Sequence, residues 1–289
     1  MTKIKVKSTV LTGWQKTLLI GGFYLLVCSG VRASGEPFPI GARSWGLANA
    51  TAAMADKQSV FNNPAGVGFL TENFVHTAYH SRFNLAGLQT FALGANYVHR
   101  LVNTGITVER FGDKLYHEQK LGLVFAKSID RVALGIKVSY SQAVVENLSS
   151  KHTFVTEFGV ISKLSPKVQL GFNAYNLTRA QLYISQRIPT VLRLGLAFQP
   201  SGQLLLVAEA EKDLDFPTLI KMGLEYQLVR NFYIRTGLTS KINDVHLGFG
   251  IKAKQFFFDY AMSNHSMLGF SQHFTLAYQL NKTKPDTKL

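Results

Sequence analysis

Cysteine is almost missing from this chain: the single one, Cys28, falls before residue 34. A lone cysteine builds no disulfide framework, and thiolate zinc sites are excluded with it. Long apolar runs are equally scarce. The only one lies before residue 30, so a bundle of membrane helices, each needing about 20 apolar residues, is excluded. Acidic residues are few, 17 against 31 Lys and Arg, and the formal net charge is +14. Catalytic motifs are absent as well: no Gly-x-Ser-x-Gly elbow, no phosphate-binding glycine loop and no His-Glu-x-x-His. Against these absences stand 46% apolar and 12% aromatic residues, with 24 Gly and 21 Phe. That content is too apolar for a disordered chain, and 289 residues suffice for a large core.

The first residues read as a leader. Lys3, Lys5 and Lys7 make a basic start, Leu18 to Cys28 is apolar, and Val31-Arg32-Ala33 follows. This is the layout of a secretory signal peptide over residues 1–33, with cleavage expected between Ala33 and Ser34. A membrane anchor is the weaker reading because the apolar stretch is too short to span. Lipidation at Cys28 is weaker because the bulky Val27 precedes it. Residues 1–33 carry +5, so the mature chain keeps +9 of the +14.

Beyond residue 73 the apolar residues alternate. Leu192, Leu194 and Leu196 oppose Arg193, Gly195 and Ala197; Leu247, Phe249 and Ile251 oppose His246, Gly248 and Gly250. Period two means strand. About fourteen strands are expected, at 73–80, 88–99, 103–111, 117–127, 131–141, 153–162, 167–177, 189–199, 203–211, 218–227, 231–238, 243–252, 255–263 and 270–280. Short turns near Leu101, 128–130, 165–166, 200–202, Arg230 and Lys254 alternate with longer loops at 81–87, 112–116, 142–152, 178–188, 212–217, 239–242 and 264–269. Segregated short and long turns point to an all-β, transmembrane antiparallel β-barrel over residues 73–280 rather than a sandwich.

One face carries Leu, Ile, Val and Phe and suits lipid. The other carries Gly94, Gly122, Gly135, Gly159, Gly171, Gly195, Gly223, Gly237 and Gly248. Inward glycines fit either a lumen filled by another segment or simple relief of curvature. Arg193, Glu209, Glu211, Lys221, Glu225, Arg235, His246 and Asp259 fall on this face too, with cross-strand pairs such as Arg193 with Glu209 or Glu211. On the lipid face an Arg or Lys would cost about 2–4 kcal/mol near the midplane, so their parity supports the register. They could line a polar path or merely neutralise a wet interior.

Residues 34–72 do not alternate. Ala-rich stretches and Asn63-Pro64-Ala65-Gly66 suit short helices and turns. The segment is too small to fold alone, and the lumen is the available host. The stretch from Gly41 through Asn63-Pro64-Ala65-Gly66 resembles the N-terminal plug of the FadL-like outer-membrane superfamily, which includes the PorV/PorQ group. Phe258-Asp259-Tyr260-Ala261, Leu268-Gly269 and Phe274-Thr275-Leu276-Ala277-Tyr278 resemble that family's last two strands, and Gly223-Leu224-Glu225-Tyr226 with Ile234-Arg235-Thr236-Gly237 adds to the likeness. The resemblance implies a fourteen-stranded outer-membrane barrel with an N-terminal plug at 34–72, a barrel at 73–280 and a polar periplasmic tail at 281–289.

The family divides in function. FadL-like transporters pass hydrophobic compounds through a plugged barrel; PorV and PorQ resemble them in fold but serve type IX protein secretion and surface attachment. Passage of small hydrophobic or amphipathic solutes is the leading expectation, with Asn63, Pro64, Ala65 and Gly66 as the hinge. A non-transporting secretion component is the alternative. An apolar lumen pocket and a gap between strands would mark the transporter.

No enzyme, metal or cofactor is expected. The eight histidines are scattered. His76 and His80 share a face too far apart for a clamp, and Ser263 with His265 is a lone pair. Basic residues are better matched to lipopolysaccharide phosphates than to nucleic acid, for no basic cluster interleaves with aromatics. Outer-membrane lipid, lipopolysaccharide, barrel-assembly machinery and either a hydrophobic solute or secretion-system proteins are the expected partners. The expected location is the outer membrane, with both termini in the periplasm.

Overall fold

The computed structural model describes residues 37–280 except 148, 149, 184, 185, 241–244 and 266. The leader, its Ala33/Ser34 junction and the tail at 281–289 lie outside the described residues.

Sixteen strands follow one another: β1 (Phe74–Ser81), β2 (Gln89–Tyr97), β3 (Asn103–Gly112), β4 (Tyr116–Ile129), β5 (Val132–Val145), β6 (Lys151–Ser165), β7 (Val168–Tyr175), β8 (Gln181–Tyr183), β9 (Gln186–Arg187), β10 (Val191–Phe198), β11 (Leu204–Asp213), β12 (Leu219–Val229), β13 (Phe232–Thr239), β14 (Val245–Ala253), β15 (Phe256–His265) and β16 (Gly269–Gln279). Fourteen of them form one closed antiparallel barrel in chain order; β8 and β9 pair separately in the β7–β10 connection. Closure comes from β1 lying on β16, with Phe74 opposite Gln279 and Ser81 opposite Gln272. A closed sheet leaves no edge to be capped.

Alternation sets the two faces. Along β5, Ala133, Gly135, Lys137, Ser139 and Ser141 are buried inside, while Leu134, Ile136, Val138 and Tyr140 are exposed outside. Leu123 and Phe125 on β4 are likewise about half exposed, at 47% and 50%. Apolar side chains in such a belt belong against lipid.

The strand positions match those expected from the sequence, but β4, β5 and β6 run longer. Tyr116 pairs with Val145 and Ala143 with Lys151, so the ladder continues through polar residues where the apolar signal has faded. The expected loops at 142–152 and 112–116 shrink accordingly, and length segregates less strictly between the two ends. Tight turns between β4 and β5, β12 and β13, and β14 and β15 put Asp130, Asn231 and Lys254 in the left-handed region, at φ 50, 69 and 54. Asp and Asn tolerate that conformation better than most residues.

Residues 37–72 form no strand. They make a helical turn at Ala42–Gly46, a 3-10 turn at Lys57–Val60 and a second helical turn at Pro64–Val67. Asp56 caps the 3-10 turn: its carboxylate accepts from the Gln58 N–H at 2.8 Å while its own N–H donates to Ser59 Oγ at 2.9 Å. Asn63 caps the last turn, with Pro64 at the first helical position. This inner segment packs on the inward face of the barrel. A Cβ on Gly135 would fall on the Pro64 backbone, and one on Gly223 would lie 2.8 Å from the Leu47 carbonyl oxygen. The inward glycines anticipated from the sequence thus make room for a segment, except Gly122, which faces strand side chains only. The segment runs from Pro37, beside Arg193 near the start of β10, to Asn73, whose carbonyl accepts the Leu280 N–H at the far end.

Candidate functional site

The interior is organised by charge, and the register explains which charges meet. Arg193 stands opposite Glu211, and Glu209 opposite Lys221. Arg193 Nε reaches Glu211 at 2.6 Å and Glu209 at 4.0 Å; Lys221 Nζ reaches Glu209 at 3.0 Å and Glu211 at 2.7 Å. Two cations meet two anions. Glu209 also accepts the backbone N–H groups of Thr51 and Ala52, both at 2.7 Å, and so fixes the middle of the inner segment.

A second group spans β12 to β15. Glu225 stands opposite Arg235, and Arg235 Nε donates to it at 2.5 Å. Arg235 then crosses β14 to Asp259 at 2.8 Å. The crossing requires Gly250, because a Cβ there would strike both Arg235 and Asp259. The inner segment completes the group: Arg43 donates to Glu225 through Nε at 2.8 Å and Nη2 at 2.7 Å, pairs with Asp56, and Lys57 lies 3.5 Å from Asp259. Three cations meet three anions. Burial on its own disfavours the charged Arg43 guanidinium, but Glu225 and Asp56 outweigh it and hold its pKa above the ordinary arginine value.

The sequence-derived charges Arg193, Glu209, Glu211, Lys221, Glu225, Arg235 and Asp259 are therefore brought together in two balanced groups. His246 is placed apart from both, 6.1 Å from the Trp45 ring. Asn63 is fully buried: its Nδ2 donates to the Ala52 carbonyl at 2.5 Å and to the Phe172 carbonyl at 3.3 Å. Pro64, Ala65 and Gly66 are buried in the turn that it caps.

Several members escaped sequence reading. Arg43, Asp56 and Lys57 lie in a segment with no period to reveal their direction. A third group, Lys137 with Glu109 at 3.5 Å and Glu157 at 3.7 Å, and Lys120 with Glu118 at 4.0 Å, lines β3 to β6. These residues share parity with Gly122, Gly135 and Gly159, so the alternation did contain their signal.

Histidines form a distinct wall. His76 and His80 on β1, His246 on β14 and His273 on β16 are all buried. Trp45 stacks on His273 with centroids 3.9 Å apart and planes 10° apart, and His80 meets both rings edge-on. Ser263 faces inward with its Oγ 3.5 Å from His273 Nε2. Among the described residues no three His, Cys, Asp or Glu side chains are placed to hold a metal.

No family model matches the sequence, and no curated protein matches it. Solved structures do. The toluene transporter TodX of Pseudomonas putida is similar with a TM-score of 0.60 at 12% identity, over 85% of this chain and 98% of that one. A TodX mutant described as a monoaromatic hydrocarbon channel gives 0.59 at 12% identity over 84% and 99%. The Acinetobacter baumannii outer membrane protein Omp33 gives 0.50 at 7% identity, over 74% and 100%. At such identities the likeness carries the closed-barrel fold alone and does not extend to the PorV/PorQ group.

Proposed function

We propose that the protein is an outer-membrane barrel that passes small hydrophobic or amphipathic solutes when residues 34–72 move aside as a plug. The observation that carries this reading is how the inner segment is held. No β-ladder joins residues 37–72 to the barrel; buried side-chain pairs do, chiefly Arg43 with Glu225, Lys57 with Asp259 and Glu209 with two backbone N–H groups. Such contacts can be exchanged for water without opening the sheet. The solute class follows by analogy with a barrel of similar fold named as a toluene transporter. Residues 1–33 would be the export leader, the Asn63–Gly66 turn the hinge, and exposed Lys and Arg the partners of lipopolysaccharide.

The test locks the segment. A Cβ on Gly195 would lie 3.4 Å from Ala53 Cβ, close to the roughly 3.5–4.5 Å that a disulfide needs. Residues 34–289 contain no native cysteine, so the Ala53→Cys/Gly195→Cys pair can only join these two sites. Solute entry into liposomes carrying the oxidised variant should stop and return on reduction. Entry that ignores the cross-link removes the plug reading.

A second reading, a non-transporting component of protein secretion, draws on the barrel's closure: among the described residues each of the fourteen barrel strands pairs with both neighbours, leaving no unpaired strand edge for a sideways opening. Loss of surface-exported proteins on gene deletion, with solute uptake unchanged, would reverse the order of the two readings.

A further inference from the structure

Four of the eight histidines sit on one wall of the interior, contributed by β1, β14 and β16, against the start of the inner segment. The contacts are specific. The Gly41 N–H donates to His80 Nε2 at 3.2 Å. Trp45 lies on the face of His273 and is tied down by its own Nε1–H, which donates to the Pro39 carbonyl at 2.9 Å. Ala42 N–H donates to Thr275 Oγ1 at 2.8 Å. Apart from Arg43, which pairs with Glu225 and Asp56, residues 39–45 are thus held by neutral hydrogen bonds and ring stacking, whereas residues 51–57 are held by full charges.

Charge placement makes this wall sensitive to protons. The charged group that faces His80 and His273 is Arg82, a cation at the end of β1 that stacks on Phe38 at 3.9 Å. His246 adds a third imidazole beside His273. His76, further down β1, faces Lys57 and Asp56 of the inner segment. The nearby carboxylates Glu225 and Asp259 are already engaged by Arg43, Arg235 and Lys57. A proton arriving at His80 therefore meets a cation and other imidazoles.

We propose that this histidine wall is an acid-sensitive latch on the inner segment, with His80 as the residue that takes the proton. His80 Nε2 uses its lone pair to accept the Gly41 N–H. A proton from solution occupies that lone pair, and the two N–H groups then face each other. The hydrogen bond breaks, and the imidazolium is left 4.9 Å from the ring of His273 and beside Arg82.

The sign is fixed by linkage. The latched state needs His80 neutral, and a solvated imidazole titrates near pH 6.5. The latched-to-released ratio is therefore unaffected above that pH and falls by up to about tenfold per pH unit below it for each histidine that must stay neutral. The latch rests on the reading of residues 34–72 as a displaceable plug.

Trp45 supplies the probe. The chain has two tryptophans, and with Trp14→Phe the only indole left is Trp45. The full chain carrying that change, refolded in detergent, is titrated from about pH 7.5 to about pH 4.5 while acrylamide quenching is measured. Quenching should be weak at neutral pH and rise severalfold, reversibly, in acid. With His80→Gln added, whose amide oxygen can accept the Gly41 N–H but does not titrate, the rise should be lost or shifted to much lower pH. Gel mobility without boiling should stay that of the closed barrel throughout. Quenching that ignores pH, a His80→Gln chain that titrates like its parent, or collapse of the barrel at the same pH would each overturn the latch. The readout does not depend on transport. Acid release without solute entry would sink the transport reading and leave the latch, whereas gated entry with a pH-independent Trp45 would sink the latch alone.

Discussion

Glu209→Ala should loosen the inner segment without opening the barrel. The Glu209 side chain is wholly buried and has three strong partners: the Thr51 and Ala52 N–H groups and Lys221. Lys221 survives the change, because Glu211 remains at 2.7 Å. The two backbone donors do not, for both bond the one carboxylate oxygen that the change removes. Hydrogen bonds to a charged group contribute about 1.5–3 kcal/mol each, so two lost together cost about 3–6 kcal/mol. Water entering the vacated space recovers part, and about 3 kcal/mol is a fair working figure. At about 1.4 kcal/mol per decade, amide exchange across residues 49–55 should accelerate about 100-fold. Hydrogen–deuterium exchange read by mass spectrometry measures it directly. Glu211→Ala is the control: Glu211 pairs with Arg193 and Lys221 but is not bonded to the segment, so residues 49–55 should stay protected. Equal exchange in the Glu209→Ala and parent proteins, or faster exchange in β11 itself, would refute the reasoning.

Gly223→Val places new carbons within 3 Å of Leu47; the barrel should still form, but cross-linking through Ala53→Cys/Gly195→Cys should fall sharply. Leu123→Arg puts a cation on the lipid face and should cost about 2–4 kcal/mol if it lies near the midplane, visible as a lower urea midpoint for refolding into vesicles. Unboiled protein should migrate differently from boiled protein in detergent gels, and identical mobility would argue against a closed barrel. Gly250→Val should break the Arg235–Asp259 bridge by occupying its path, a loss of about 3–5 kcal/mol for a buried pair, measured as barrel stability.

The strands were legible because half of each faces an apolar medium, which imposes period two on Leu123, Phe125, Leu134 and Ile136. That signal stops where the apolar belt stops. Hence Ala143 and Lys151 pair beyond the expected strand ends: backbone hydrogen bonds need no apolar side chains. Arg193 and Glu211 could be paired from parity alone because adjacent strands bring them together. Arg43 and Glu225 could not, since their meeting depends on the path of an aperiodic segment. The histidine wall was hidden for another reason. His80 and His273 become neighbours only through the closure of β1 on β16, and nothing local to either residue records it.

That same closure bears on assembly. The inner segment directly precedes β1, and β1 finds its second neighbour only when β16, the last strand, arrives. The seam between β1 and β16 joins the two ends of the sheet, and in the folded protein it closes around an interior occupied by residues 37–72. Pairing residues that lie about 200 positions apart is entropically slow. The β1–β16 seam is therefore the pairing of greatest sequence separation in the barrel, the one that loop-closure entropy opposes most.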